Sequence, residues 1–251
     1  CNVASVNEEF KIIHIGETDS TNRWLMQHGD SPYNIVVADF QTAGKGCGSN
    51  TWESERGKNL TFSMLIHPEE LPASRQFRIT EVTSVALCET LDEWLSGQTT
   101  IKWPNDIYVG DRKLCGMLIE NRLQGVTIKD SIIGIGLNVN QRDFLSDAPN
   151  PVSLCQLLDK ELSRETLLEA FLMRFRAVWN RGDVSFCYRQ RLYRKGEWHP
   201  YSDAQGPFTA MLTDVLPDGR LLLVDKEDHE RTYHFKEVQF VQKSQNPQIT
   251  K

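Results

Sequence analysis

Short apolar runs alternate with stretches of helical spacing along the first two-thirds of this chain. Residues 10–15 (Phe-Lys-Ile-Ile-His-Ile) and 35–38 (Ile-Val-Val-Ala) are bounded by polar residues, which predicts strands. Between them, Thr18-Asp19-Ser20-Thr21-Asn22 supplies helix-capping residue types ahead of a short helix through Trp24, Leu25 and Met26. Another strand is expected at 60–66. Ile79, Val82, Val85, Ala86, Leu91, Trp94 and Leu95 then fall near one face of a long helix, which Gly97 is placed to end. Strands at 99–103, 107–109, 114–121, 126–128 and 131–139 follow in quick succession, with turns at Gly110-Asp111 and Gln124-Gly125. That spacing predicts an antiparallel meander. A short helix is expected at 152–158. A longer one starts at a Ser163 cap, with Leu167, Leu168, Phe171, Leu172, Phe175, Val178 and Trp179 on its inner face.

After Gly196 the pattern changes to short strands at 208–212, 220–224, 231–235 and 238–241, separated by Pro217-Asp218-Gly219 and an acidic turn. The change divides the chain into a domain at 1–196 and a small all-β domain at 197–251. Residues 40–59 show no regular period, and a structureless stretch of that length inside a domain is characteristically a functional lid or disordered.

The 251 residues carry 28 Lys+Arg against 34 Asp+Glu, a net charge of -6. An acidic balance argues against wholesale nucleic-acid binding and leaves room for a local anion site. No apolar run reaches the length of a membrane span, and the first residues lack the pattern of a secretory signal. The six cysteines are scattered, without a Cys-x-x-Cys pair or zinc-type His spacing. A reducing, cytoplasmic setting is therefore expected.

Three segments could carry chemistry. In Gln41-Thr42-Ala43-Gly44-Lys45-Gly46-Cys47-Gly48, glycines around a lysine allow backbone N–H groups to converge on an anion. The spacing is not that of a P-loop, and a flexible surface loop with a solvated lysine fits the same residues. In Lys102-Trp103-Pro104-Asn105-Asp106, a lysine at a strand end before a proline turn can neutralise two anions as they meet. A surface lysine beside a structural corner is the plainer reading. In Gly134-Ile135-Gly136-Leu137-Asn138, glycines inside a strand mark either close approach of a ligand or a bulge. Gly116 has the same character. The dispersed histidines offer no nucleophile–base pair.

Taken in order, these motifs resemble the biotin protein ligase family. The resemblance rests on Ser20-Thr21-Asn22, on Gln41 to Gly46 ending at Trp52, and on Lys102-Trp103-Pro104-Asn105-Asp106. It continues through Lys113-Leu114-Cys115-Gly116-Met117-Leu118-Ile119-Glu120 and Gly134-Ile135-Gly136-Leu137-Asn138. The resemblance implies an α/β (α+β) fold, with a mixed, largely antiparallel sheet flanked by helices and then a small SH3-like β-barrel. It implies ATP and biotin as substrates, Mg²⁺, formation of biotinyl-5′-AMP, and transfer to a lysine of a biotin carboxyl carrier domain of a carboxylase. Lys102 and Lys45 would be catalytic. Biotin would be bound by Ser20, Thr21, Asn22, Gln41, Lys45, Gly46, Cys47, Lys102 and Gly116. ATP would be bound by Gly44, Lys45, Trp52, Lys102, Asn105 and Asn138. The short lead-in before the first strand leads to an expectation of a single-function ligase without operator binding, as a monomer or homodimer.

A lipoate-type ligase would share fold and adenylate chemistry, but that family's Arg-Arg…Gly-Gly-Gly run has no counterpart here. A non-catalytic sensor of biotin or its adenylate is the other alternative, disfavoured by Lys45 and Lys102. One departure stands out. Lys45, Cys47, Ser49 and Asn50 occupy loop positions where several family members carry arginine, so fewer planar phosphate-binding forks are available. Looser retention of the adenylate is expected, and Cys47→Arg is expected to slow its release.

Overall fold

The computed structural model describes residues 10–46, 48, 50–145 and 150–241. Seven strands build one sheet: β1 (Lys11–Ile15), β2 (Asn34–Ala38), β3 (Leu60–Ile66), β4 (Thr99–Lys102), β5 (Asp106–Val109), β6 (Arg112–Gln124) and β7 (Thr127–Leu137). Their spatial order is β1-β2-β3-β7-β6-β5-β4. β1 and β2 run parallel because helix α1 (Thr21–His28) crosses between them, and the remaining neighbours are antiparallel. The sheet is mixed and largely antiparallel, as expected.

Alternation along the strands sorts residues onto two faces. Ile35, Val37, Phe62, Met64, Ile133 and Ile135 join the main core beneath α2 (Phe77–Leu95) and α4 (Arg164–Asn180). Val36, Leu65 and Ile132 face the other way and pack on Leu25 of α1. Helix α1 has only 8 residues, so it covers part of that second face. Beyond it the same face continues through Thr61 and Ser63 of β3, Gly134 and Gly136 of β7, and Gly116 of β6. These residues are too small to cover the sheet themselves.

Ser163 caps α4 as expected, its Oγ accepting from Thr166 N–H at 3.1 Å. The expected break near 129–130 does not occur, and β7 runs straight through. Asp130 is tolerated there at 2 % exposure because His67 at 3.2 Å and Arg122 pair with it. Two short helices complete this part, α3 (Leu154–Leu158) and α5 (Ser185–Gln190). The second spans 6 residues, too few to display a helical period in the sequence.

The C-terminal strands β8 (Trp198–Asp203), β9 (Gly206–Val215), β10 (Leu221–Asp225), β11 (Glu230–Tyr233) and β12 (Gln239–Phe240) form an antiparallel sheet in the order β11-β10-β9-β8-β12. β8 is absent from the sequence expectation because Pro200 and two polar neighbours disguise it. Trp103 ties this sheet to the larger one, its Nε1–H donating to Gly219 O at 2.9 Å. No helix among the described residues is long and apolar enough to cross a membrane.

Candidate active site

Cross-strand pairing lines up one row of residues on the face that α1 leaves open. Lys102 pairs with Asp106, Asp106 with Gly116, Gly116 with Gly136, and Gly136 with Thr61. The next row holds Leu118, Gly134 and Ser63. Glycines in the middle of both rows leave the sheet bare, and a cavity of about 490 Å³ opens above it. Two of the glycines are obligatory for packing reasons. A Cβ on Gly134 would overlap the Asn22 carboxamide, and one on Gly136 would overlap the Trp52 indole.

At one end the side chains that line the cavity are uncharged and belong to a hydrogen-bond network. Thr21 donates to Gln41 Oε1 from its backbone N–H at 2.8 Å and from its hydroxyl at 3.0 Å. Ser63 Oγ lies 2.7 Å from Thr21 Oγ1 and 2.6 Å from Asn22 Oδ1. Asn22 Nδ2 donates to Glu120 Oε2 at 2.6 Å and to Leu118 O at 3.3 Å. Ser20, the N-cap residue of α1, makes no side-chain capping bond and lines the cavity beside them. These groups are buried: Ser20, Thr21, Asn22 and Ser63 are each no more than 5 % exposed.

The other end is cationic. Lys102 lies over the Tyr108 ring, its Nζ 5.0 Å from the centroid, and 5.5 Å from that of Phe240. It donates to Tyr108 Oη at 3.2 Å. Burial pushes its pKa below the ordinary lysine value, with Lys113 and Arg194 pushing the same way and Asp106 opposing. Lys113 instead pairs with Asp106 at 2.8 Å. Lys45 and Lys236 complete four lysines against one carboxylate among the described lining residues. An anionic ligand is what such an excess attracts.

The glycine loop forms the mouth. Lys45 bridges Thr51, Gly46 N–H donates to Asn50 O at 2.8 Å, and Trp52 N–H donates to Gly44 O at 2.9 Å. Residues 44–46 thus pair with 50–52, and Gly48 stands at φ 73°. Lys236, from the connection between β11 and β12, brings its ammonium against Gly48.

The cavity therefore brings together Ser20, Thr21, Asn22, Gln41, Lys45, Gly46, Trp52, Lys102, Asn105 and Gly116. Asn105 lines the wall while its Nδ2 holds Met117 O at 2.6 Å. Gly44 is buried beneath Trp52, outside the lining. Asn138, expected on the nucleotide side, also lies outside the lining. Its side chain donates to Val152 O at 3.1 Å and its backbone N–H to Leu114 O at 3.0 Å, which commits it to bracing the end of β7. Cys47 and Ser49 fall outside the described residues, so the expectation for Cys47 does too.

Sequence reading missed Thr61, Ser63, Tyr108, Phe235, Lys236 and Phe240. Thr61 and Ser63 sit at every second position of an apolar strand, a signal of a polar patch on one face. The C-terminal residues carry no such signal, since only the docking of the second sheet brings them here.

Residues 15–138 match the Biotin/lipoate A/B protein ligase family, and this segment is a domain of that family. The bifunctional ligase/repressor BirA of Bacillus subtilis is 32% identical over 164 residues, covering 64% of this chain and 50% of that protein. The biotin--[acetyl-CoA-carboxylase] ligase of Mycobacterium tuberculosis is 27% identical over 150 residues, 57% of this chain and 54% of that one. The chain thus spans about half the length of the curated relatives it matches. Among solved structures, the biotin protein ligase of Aquifex aeolicus in complex with biotin and ATP superposes with a TM-score of 0.78. It is 25% identical, over 92% of this chain and 99% of that one.

Proposed function

We propose that this protein is a biotin protein ligase. It joins biotin to ATP as biotinyl-5′-AMP and passes the biotinyl group to a lysine of a carboxylase's biotin carboxyl carrier domain. The observation that carries this reading is the pair of adjacent glycine-centred rows across the sheet, one running to Lys102 and the other to Ser63, which floor one cavity between a lysine end and a hydrogen-bonding end. Biotin has the same polarity: a neutral ureido bicycle, an apolar tether and a carboxylate.

The bicycle sits among Ser20, Thr21, Asn22 and Gln41, and the tether crosses the bare glycines at 116 and 136. The carboxylate reaches the lysines, where it meets the α-phosphate. A carboxylate oxygen forms the new bond to phosphorus while the bond to pyrophosphate breaks. Lys102 offsets the repulsion between the two anions and stabilises the charge that builds on the phosphoryl group. Lys45, Gly46 and Trp52 close the mouth and keep water from the mixed anhydride. In the second step the acceptor amine attacks the acyl carbon, loses a proton, and AMP departs with the bridging oxygen.

ATP enters as its Mg²⁺ complex, Mg²⁺ supplying charge neutralisation on the phosphates. The one carboxylate among the described lining residues, Asp106, is engaged by Lys113, which favours a metal carried by the nucleotide over a resident one. The division at 196/197 belongs to this reading, with the second domain contributing Phe235, Lys236 and Phe240 to the wall. A cytoplasmic monomer or homodimer fits the same picture.

The test is incubation with ATP, Mg²⁺, biotin and a purified carrier domain, read by mass spectrometry of the carrier. Gain of one biotinyl group on one lysine is expected, and none with lipoate in place of biotin. Transfer of lipoate alone would place the chain on the other side of its family.

A further inference from the structure

We infer that Glu120 is a positioning residue for substrate recognition: it locks the Asn22 carboxamide so that its oxygen, not its nitrogen, is presented to biotin. The inference rests on the biotin reading above.

An asparagine side chain has two nearly isosteric orientations, one offering an acceptor and the other a donor. Nothing in the shape of the amide chooses between them. Here the choice is made from behind. Asn22 Nδ2 meets the Glu120 carboxylate at 2.6 Å and Leu118 O at 3.3 Å, and neither group has a proton to give. The flipped amide would point Oδ1 at two acceptors, one of them charged. Hydrogen bonds to an ionised partner are the stronger kind, and burial of Asn22 at 5 % exposure sharpens the penalty for a wrong orientation. On the near side, Oδ1 accepts from Ser63 Oγ–H at 2.6 Å and fills the space over Gly134, and Asn22 lines the cavity there with one acceptor lone pair of the oxygen still to place.

The chain's architecture makes this arrangement specific. Glu120 stands on the same face of β6 as Gly116 and Leu118, so the lock is built into the strand that floors the cavity. Glu120 itself does not line the cavity, and it acts only through Asn22. An acceptor held at this point matches a ureido N–H and rejects a ligand that offers only acceptors there.

The test uses the full chain and reads biotin affinity by calorimetry, together with kcat, the KM for biotin and the thermal midpoint. Glu120→Leu removes the lock; biotin affinity is expected to fall about tenfold to a hundredfold while kcat stays within a few-fold. Asn22→Asp sets two carboxylates against each other and is expected to weaken biotin at least as much. Asn22→Asp combined with Glu120→Gln reverses donor and acceptor while keeping an oxygen toward the cavity. Recovery of most of the lost affinity is expected in that double variant, which a merely structural role does not predict. Should Asn22→Asp fail to fold, the split between KM and kcat in Glu120→Leu decides the matter. Equal biotin affinity in Glu120→Leu and the unsubstituted chain, or kcat falling in step with affinity, would overturn the inference. So would a double variant no better than a folded Asn22→Asp. Absence of biotin binding by the unsubstituted chain would instead overturn the biotin reading itself, and the inference with it.

Discussion

The two ends of the cavity are built on opposite principles. At the neutral end, buried side chains satisfy one another: Gln41 holds Thr21, Thr21 meets Ser63, Ser63 meets Asn22, and Asn22 is held by Glu120. The orientations of Thr21, Gln41, Ser63 and Asn22 are set before a ligand arrives. At the lysine end, charge stands without such closure. Lys102 rests on aromatic rings and one phenol, and burial lowers its pKa more than the nearby Asp106 carboxylate raises it. A prearranged neutral network recognises without spending affinity on reorganisation, whereas an undersatisfied cation favours whatever negative charge comes to it. One end selects the substrate and the other drives the reaction.

Separating the two ends by mutation sharpens that contrast. The largest effect is expected from Lys102→Ala, with adenylate formation falling about 10²–10³-fold and biotin affinity much less. Single-turnover kinetics alongside calorimetry measures both. The same lysine sets a pH limb. Because burial holds its pKa below the ordinary value, the rate in the free enzyme is expected to fall at a lower pH than for an exposed lysine. Bound anions favour the charged form, so the limb in kcat moves to higher pH than the limb in kcat/KM. Coincident limbs would break the assignment.

Gly134→Ala comes next and strikes the neutral end alone. The new methyl group overlaps Asn22, and overpacking of this kind costs about 1–3 kcal/mol, which corresponds to a loss of about fivefold to a hundredfold in biotin affinity. ATP affinity should be untouched. A parallel loss of both would show that the ends are not independent.

The smallest effect is expected at Lys236, which is exposed and reaches the glycine loop from the second domain. Its interaction with a phosphate is screened by water, so Lys236→Met should raise the KM for ATP by about threefold to fivefold and leave biotin binding alone. Steady-state kinetics at low and high salt checks it, since the difference should shrink as salt rises.

Much of this contrast is readable in the sequence, though unevenly. The helix of Ile79, Val82 and Leu91 and the strand at 60–66 announce themselves because burial on a fixed face imposes a period. Residues close in sequence were legible for the same reason: Ser20, Thr21 and Asn22 start a helix, and Lys102 ends a strand before Pro104. Gly134 and Gly136 were visible as anomalies in an apolar strand, but what they admit was not. Only the register of β3 with β7 brings Ser63 to Gly134 and so to Asn22. The orientation of the Asn22 amide, the docking of Phe240 on Lys102 and the approach of Lys236 depend on contacts between distant segments, which no local pattern encodes. Asn138 shows the converse. A polar residue after a glycine-rich strand suits a ligand contact or a backbone brace equally, and here the carbonyl of Val152 takes it.

The most direct measurement is biotin-dependent exchange of labelled pyrophosphate into ATP, made on the unsubstituted chain and on Lys102→Ala, with biotin affinity determined for both. Robust exchange that requires biotin, nearly lost in Lys102→Ala while biotin still binds, is the expected result. Exchange without biotin, no exchange at all, or loss of biotin affinity and exchange in equal measure would contradict the division of labour between the two ends.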